Sequence, residues 1–191
     1  MRLIREKFYR RQPWKNGGGE TIEIAVYPSG ATVENFDWRI SMARVDANGA
    51  FSAFPEIDRT LTVLDGQGID LFVEGEAPAR IIGKPHAFPG DRPTSAKLVD
   101  GPITDLNVMT RRGRLSHRVS QLTLNAAYEL IVRSPVVILY CQSGTLMIED
   151  DIAPPLELAA GNTLLIESRP TDLRFMPVGE TRLILIEIGP A

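Results

Sequence analysis

Pro13-Trp14-Lys15-Asn16-Gly17-Gly18-Gly19-Glu20-Thr21-Ile22-Glu23-Ile24 places three consecutive glycines directly before an alternating segment. Glycine loses more backbone freedom on folding than any other residue, so a run of three marks a sharp turn or a close approach to the backbone. After it, Thr21 and Glu23 alternate with Ile22, Ile24 and Val26, the period of two of a strand with one apolar face. The glycines therefore form a turn that feeds a strand, and Asn16-Gly17 is a hairpin signal. Neither a Gly-Lys-Ser/Thr step nor a helical pattern follows, which excludes a phosphate-binding P-loop.

The same period runs outward from this segment. Trp38, Ile40 and Met42 share one face of Trp38–Val45, while Arg39 and Ser41 share the other. Asn48-Gly49 turns the chain into Phe51–Pro55; a strand follows at Thr60–Leu64, then the tight turn Asp65-Gly66-Gln67-Gly68 and the strand Leu71–Val73. In Leu106–Arg111, Leu106 and Val108 point one way, and Asn107, Met109 and Arg111 point the other. The second half continues in this style. Val136–Cys141 is a continuous apolar run, as in a strand buried on both faces. Gln142-Ser143-Gly144 leads into Thr145–Ile148, Leu156–Asn162 leads into Thr163–Ile166, and Arg182–Ile188 closes the chain. Long helical periodicity is missing, so the chain reads as an all-β sandwich or barrel. Gly68 before Leu71-Phe72-Val73 is echoed by Gly144 before Leu146-Met147-Ile148, and Phe88-Pro89-Gly90-Asp91 by Leu158-Ala159-Ala160-Gly161-Asn162, as a duplicated β unit would give.

With 191 residues, 43% of them hydrophobic and 24% charged, the chain is long enough for one large domain or two small ones with a real core. A net charge of −3 argues against a domain-wide footprint for nucleic acid or an anionic membrane. Cys141 is the only cysteine, which excludes an internal disulfide, and its apolar run makes it a buried structural thiol. Met1–Lys7 carries no apolar leader core and no apolar run reaches membrane-spanning length, so a cytoplasmic location is expected. The basic residues of positions 1–12, and Arg111, Arg112, Arg114 and Arg118 around His117, read as solvated charge.

Three motifs taken together are more specific than any one of them. The first is Trp14-Lys15-Asn16-Gly17-Gly18-Gly19 with Thr21 and Glu23-Ile24-Ala25. The second is Trp38–Ala43 through Gly49-Ala50-Phe51-Ser52-Ala53-Phe54-Pro55 and Asp58-Arg59. The third is Phe88-Pro89-Gly90-Asp91 with Gly101–Met109 and Arg111-Arg112-Gly113. In this order and spacing they resemble the HutD/Ves family, and the second half resembles a cupin barrel in style. The resemblance implies a bicupin: two cupin-type β-barrel or jelly-roll lobes packed into one compact unit, here 1–112 with the family motifs and 113–191. It implies a protein that binds a small carboxylate of histidine catabolism (urocanate, formiminoglutamate or formate) and moderates the pathway, with no established enzymatic activity. One departure is visible: Phe54-Pro55-Glu56 stands where the family usually has Phe-Pro-Gly.

A transition-metal cupin needs several histidines and a carboxylate, and the chain has only His86 and His117, far apart, so neither a metal nor another cofactor is expected. A carboxylate ligand instead calls for arginine forks and fixed neutral donors. The candidate ligand-binding residues are Lys15, Asn16, Gly17, Arg39, Ser41, Phe51, Ser52, Asp58, Arg59, Asn107, Met109 and Arg111. Asp58 is assigned to orient Arg59 or pair with it. Trp14 and Phe54 are further wall candidates. Periodicity leaves open whether the polar parity of Arg39 and Arg111 lines a lumen or faces solvent. The alternative is a metal-independent cupin enzyme, such as a sugar isomerase or epimerase, with His86, Tyr128 or Tyr140 in acid–base roles. A homodimer is allowed, and the arginine patch could instead serve a protein partner.

Overall fold

All the alternating segments are strands. The computed structural model describes residues 1–14, 17–150, 154–167 and 171–191. Its strands are β1 (Arg2–Ile4), β2 (Arg10–Pro13), β3 (Gly19–Tyr27), β4 (Trp38–Val45), β5 (Gly49–Ala50), β6 (Ile57–Asp65), β7 (Ile69–Val73), β8 (Ala79–Ile81) and β9 (His86–Pro89). They continue with β10 (Thr94–Leu98), β11 (Ile103–Arg111), β12 (Leu115–Leu124), β13 (Tyr128–Val132), β14 (Val136–Glu149), β15 (Leu156–Ala159), β16 (Thr163–Glu167) and β17 (Thr171–Pro190). The only helical element among the described residues is a 3-10 turn at Glu6–Phe8. No helix among them is long and apolar enough to cross a membrane.

The strands group into two units. One comprises Met1–Phe8 and His117–Gly189; the other comprises Tyr9–Ser116 with Pro190–Ala191. This grouping differs from a cut at 112/113 chiefly in the first eight residues, because β1 pairs antiparallel with β16, Arg2 opposite Leu165. The basic N-terminal segment is thus partly strand, while its basic side chains Arg2, Arg5, Lys7, Arg10 and Arg11 are exposed, as expected.

In the unit containing β14, the sheet order is β1-β16-β14-β17-β12, with β13 on β17 and β15 on β14. The run Val136–Cys141 is buried on both faces apart from its half-buried first residue. Gly144 is where β14 changes partners. The register shifts on both sides of Ser143, and the strand passes from β16 to β15. Its φ is +83°, and a Cβ there would lie 2.6 Å from the Glu180 carbonyl oxygen, so only glycine fits. The core of this unit is largely apolar, with Thr163 and Thr181 its buried polar members among the described residues. Val137, Leu139, Cys141, Leu146, Ile148, Leu158, Leu164, Phe175 and Leu185 are among its members.

The other unit places a six-stranded sheet, β2-β3-β4-β11-β6-β9, with a four-stranded one, β5-β10-β7-β8. Their shared core takes Ala43, Val45, Leu61, Val63, Phe88 and Ile103 from the first and Ile69, Leu71, Val73, Ile81 and Ala96 from the second. The glycine-rich stretch is a hairpin connection: Pro13 faces Glu20, Arg10 faces Glu23, and the Trp14 N–H donates to the Gly19 carbonyl at 2.9 Å. Lys15 and Asn16 lie outside the described residues. Gly19 is required by close approach, since a Cβ there would meet the Arg44 carbonyl oxygen.

Between β5 and β6 the chain crosses as an irregular loop tied down by backbone bonds. Phe51 N–H donates to Thr94 O (2.8 Å), Phe54 N–H to Gly90 O (2.8 Å) and Gly90 N–H to Ile57 O (2.7 Å). At its end Glu56 has a φ of 60°, the left-handed region that costs a non-glycine residue about 1–2 kcal/mol. The family's usual glycine at this place suits that conformation. Glu56→Gly is expected to raise the urea midpoint, by about 1 kcal/mol of stability, with an unchanged m value. The exposed Glu56 carboxylate is 3.8 Å from Arg111, and an ion pair of that kind contributes little. A lower midpoint would show that this pair outweighs the strain.

Candidate functional site

Strand register assembles the site. β11 lies between β4 and β6, so Met109 is flanked by Arg39 and Arg59, and Asn107 by Ser41 and Leu61. On the far side of β4, Glu23 faces Ser41 and Thr21 faces Ala43, and the register of β3 shifts between Glu23 and Ala25. Side chains two apart on a strand share a face. Arg39, Ser41, Arg59, Asp105, Asn107 and Met109 therefore line the same side of one sheet as Ala43 and Val45. They open into a cavity of about 580 Å³. Trp14, Phe51, Ser52 and Phe54 also border it. The opposite parity, Trp38, Ile40, Met42, Leu106 and Val108, is buried too. Neither face is a solvent face, which resolves the ambiguity that the alternation left.

Arg59 is 7% exposed and Arg39 is 8% exposed. The two are held differently. Arg39 donates from Nε to Glu23 Oε2 at 2.9 Å and from Nη1 to Ser41 Oγ at 3.2 Å. Arg59 has no carboxylate within ion-pair distance among the described residues. Its Nε donates to Asn107 Oδ1 at 2.8 Å and its Nη2 donates to the same oxygen. Its guanidinium carbon lies 4.6 Å from the Phe51 ring centre and 5.4 Å from that of Phe88, within cation–π range. The Asn107 amide in turn donates from Nδ2 to Asp105 Oδ1 at 2.5 Å. A chain thus runs from guanidinium to amide to carboxylate.

Burial acts on both ends of that chain. It lowers Arg59 to about 10, partly offset by Asp105 and reinforced by Arg39. It raises Asp105 to about 6, against the opposing pull of Arg59, the Asn107 amide and the Ala43 backbone N–H. Two arginine nitrogens are left over: Arg59 Nη1 and Arg39 Nη2 have no hydrogen-bond partner among the described residues. Neither is sealed in protein, because the one sealed, partnerless side-chain polar atom among those residues is Thr62 Oγ1. They are spare charged donors on two residues that line the cavity.

Several sequence expectations fall elsewhere. Asp58 does not serve Arg59. It accepts from Arg112 Nε at 2.8 Å, and Arg112 also holds Asp91 at 2.7 Å, because residues 58 and 59 point to opposite faces of β6. Arg111 has the lumen parity but lies past the cavity, where it donates to the Phe36 carbonyl at 2.8 and 3.1 Å, with Asp37 3.8 Å away. Gly17 has open space around it and is not a lining residue, whereas Gly18 is. The arginine patch is largely matched with acids, since Arg114 also reaches Asp37 at 3.0 Å. Trp14 donates from its indole to Thr21 Oγ1 at 2.8 Å, which fixes it at the cavity wall. His86 lies tilted against Phe88, with 6.3 Å between ring centres, and does not line the cavity. No group of three or more His, Cys, Asp or Glu among the described residues could hold a metal ion. Asp105 was missed in the sequence. The signal was its parity with Asn107, two residues away, on a strand whose polar face was already suspected.

The fold is of the cupin type. A Cupin 2 conserved barrel domain protein from Leptotrichia buccalis superposes with a TM-score of 0.60 at 10% identity over 88% of each chain, a likeness of fold alone. The HutD family model matches residues 6–184, and the chain belongs to the HutD family. Protein Ves of Cronobacter sakazakii is 36% identical over 74% of this chain and 76% of its own. An uncharacterized 21.2 kDa protein in the hutC 3′ region of Pseudomonas putida is 40% identical over 57% of each chain. Thus the matched stretch spans little more than half of that relative. Among solved structures, a conserved protein of unknown function from Pseudomonas aeruginosa PAO1 superposes with a TM-score of 0.92 at 30% identity over 98% of both chains. HutD from Pseudomonas fluorescens SBW25, solved in a formate condition, gives 0.82 at 29% identity, covering 100% of this chain and 98% of that one.

The raised Asp105 carboxyl makes stability depend on pH with a definite sign. The folded state holds this proton more firmly than the unfolded state, whose carboxyl titrates near 3.8, so stability falls as pH rises from about 4 to about 6 and the cost persists at neutral pH. Asp105→Asn keeps a carbonyl oxygen toward Asn107 but does not titrate. Its unfolding free energy is expected to be flatter across that window and to exceed the wild type at neutral pH by about 1–3 kcal/mol. Chemical denaturation at a series of pH values checks this; a variant less stable than the wild type at neutral pH would show that the charge itself is needed.

Proposed function

We propose that the cavity binds a small organic carboxylate of histidine catabolism and that the protein moderates histidine utilisation by doing so. The observation that carries this reading is the pair of partnerless nitrogens, Arg59 Nη1 and Arg39 Nη2, on buried guanidinium groups facing one cavity. A buried guanidinium with spare donors favours an anion, and a planar carboxylate fits its fork. Family membership supports the pathway, as do the hutC neighbourhood in the name of the Pseudomonas putida relative and the formate condition of the Pseudomonas fluorescens structure.

The dimensions favour some carboxylates over others. A cavity of about 580 Å³ is the size that holds a metabolite of several carbons, and formate would fill a small part of it. Trp14, Phe51 and Phe54 supply apolar walls for such a body. Urocanate and formiminoglutamate therefore fit the reading better than formate. The enzymatic alternative has less behind it. Asp105 is the only carboxyl lining the cavity among the described residues, and it is 1% exposed. None of the three acid–base candidates, His86, Tyr128 and Tyr140, borders it. Burial also pushes the Tyr140 phenol up to about 12.

A ligand that binds only the folded state raises stability by RT ln(1 + [L]/Kd), about 2.7 kcal/mol at a hundredfold excess over Kd. Thermal melts with urocanate, formiminoglutamate, formate and a panel of sugars are expected to show a selective upward shift with a carboxylate. In Arg59→Ala the shift should vanish while the circular dichroism of the folded protein is retained. A shift that survives in Arg59→Ala would remove Arg59 as the anchor, and stabilisation by a sugar alone would favour the enzymatic alternative.

A further inference from the structure

Binding of a carboxylate uses Arg59 and Arg39; it leaves the other end of the hydrogen-bonded chain unexplained. Asp105 is an acid enclosed beside an anion site, where it opposes the binding of any second negative charge. We propose that the cavity takes up its anion together with a proton: the anion docks on the free edge of Arg59, and Asp105 accepts a proton from solvent. This rests on the carboxylate reading and adds a regulation to the same site.

Donor and acceptor chemistry fixes the relay between the two groups. A carboxylate only accepts and a guanidinium only donates, so the Asn107 amide between them has one orientation, with Nδ2 toward Asp105 and Oδ1 toward Arg59. Arg59, Asn107 and Asp105 are all buried, so their charges interact with little screening by water. Arg59 stabilises the Asp105 carboxylate. An anion on Nη1 offsets that positive charge, and the carboxylate loses its main support. Protonation then relieves the repulsion, and the neutral carboxyl still presents a carbonyl oxygen to the Asn107 amide.

The other charged groups around Asp105 do not replace this role. From β4, Arg39 adds positive charge, but Glu23 on β3 already pairs with it. From β6 comes Arg59 itself. His86 on β9 sits in the register row of Leu61 and Asn107 but outside the cavity lining. Burial already raises Asp105 to about 6, so a modest further rise brings its proton uptake into the neutral range.

The test follows the Asp105 carboxyl carbon by NMR across pH in three samples: wild type, Arg59→Met, and wild type saturated with formate, which does not itself titrate above about pH 5. The midpoint is expected to rise in Arg59→Met and to rise with formate. In calorimetry near neutral pH, in two buffers of different ionisation heat, the wild type should take up more than half a proton per formate bound. Asp105→Asn should take up none and should bind formate with an affinity independent of pH, at least as tight as the wild type at low pH. Asp105→Val, which removes the acceptor as well, should bind more weakly than Asp105→Asn. A midpoint unmoved by saturating formate overturns the proposal, as do a midpoint unmoved in Arg59→Met and proton uptake that persists in Asp105→Asn. Failure of both formate and urocanate to bind the wild type overturns the carboxylate reading instead, and the Arg59→Met comparison still measures the coupling.

Discussion

A guanidinium group held inside a β-sheet unit by an amide oxygen, with no carboxylate against it among the described residues, is the constraint from which the site follows. Removing an ion from water costs several kcal/mol even after the surroundings relax. Arg59 offsets that cost with one amide oxygen and two aromatic faces, and with Asp105 at one remove. Phe51 must therefore stay over the guanidinium. Its loop has no regular structure of its own and is held by the backbone bonds from Phe51 to Thr94 and from Phe54 to Gly90. The Phe88-Pro89-Gly90-Asp91 motif serves this purpose: Gly90 anchors the loop, Phe88 faces Arg59, and Asp91 holds Arg112. Motif residues that touch no cavity thus still determine where the cavity wall stands.

The two units answer the same architectural problem differently. The interior of the unit built on β14 is filled mainly by leucine, isoleucine, valine and phenylalanine, with Cys141 as a small apolar member and no buried charged side chain among the described residues. The other unit is filled the same way over part of its core, then gives the remaining lumen positions to arginine, asparagine, aspartate and serine. Alternation along β4 shows the transition directly. Val45 and Ala43 belong to the apolar core, and Ser41 and Arg39, next on the same face, belong to the cavity. Gly68 and Gly144, which the sequence suggested as counterparts, share a positive φ and a carbonyl oxygen where a side chain would begin, Ile81 O at 2.5 Å and Glu180 O at 2.6 Å.

Period-two alternation was enough to read the strands with one clear apolar face, and the continuous run at 136–141 was enough for the strand buried on both faces. β12 escaped because polar residues interrupt both of its faces, His117 between Leu115 and Val119 on one and Arg118 before Leu122 and Leu124 on the other, and β1 because a three-residue edge strand has no periodicity to find. The site was legible where parity was respected. Arg39-x-Ser41 and Asn107-x-Met109 share a face and share the cavity. Asp58 was assigned to Arg59 by adjacency in sequence, although adjacent strand residues point apart. Arg111 had the right parity, but how far the cavity extends along β11 depends on where Phe36 and its carbonyl lie, a long-range fact that no local pattern carries. Glu56 was noticed as a departure from glycine, but only the backbone shows what glycine would have relieved.

Asp105 raises the question of why an ionisable group stands where asparagine would hold Asn107 with less cost of burial. Pure affinity for an anion gives no reason for it, since a negative charge beside the docking point weakens binding. Pure stability gives none either, because the charged form is the one that burial disfavours. What an acid offers over an amide is a change of state. In the proposed coupling it keeps Arg59 electrostatically matched until a ligand carboxylate takes over that match, and then becomes neutral. On the proposed reading, a molecule that moderates flux through a pathway has to release its ligand as well as hold it. A charge that opposes the ligand until it is neutralised keeps the bound state from becoming too stable to leave, and the buried acid is then a functional cost in the same sense as the strained turn at Glu56 is a structural one.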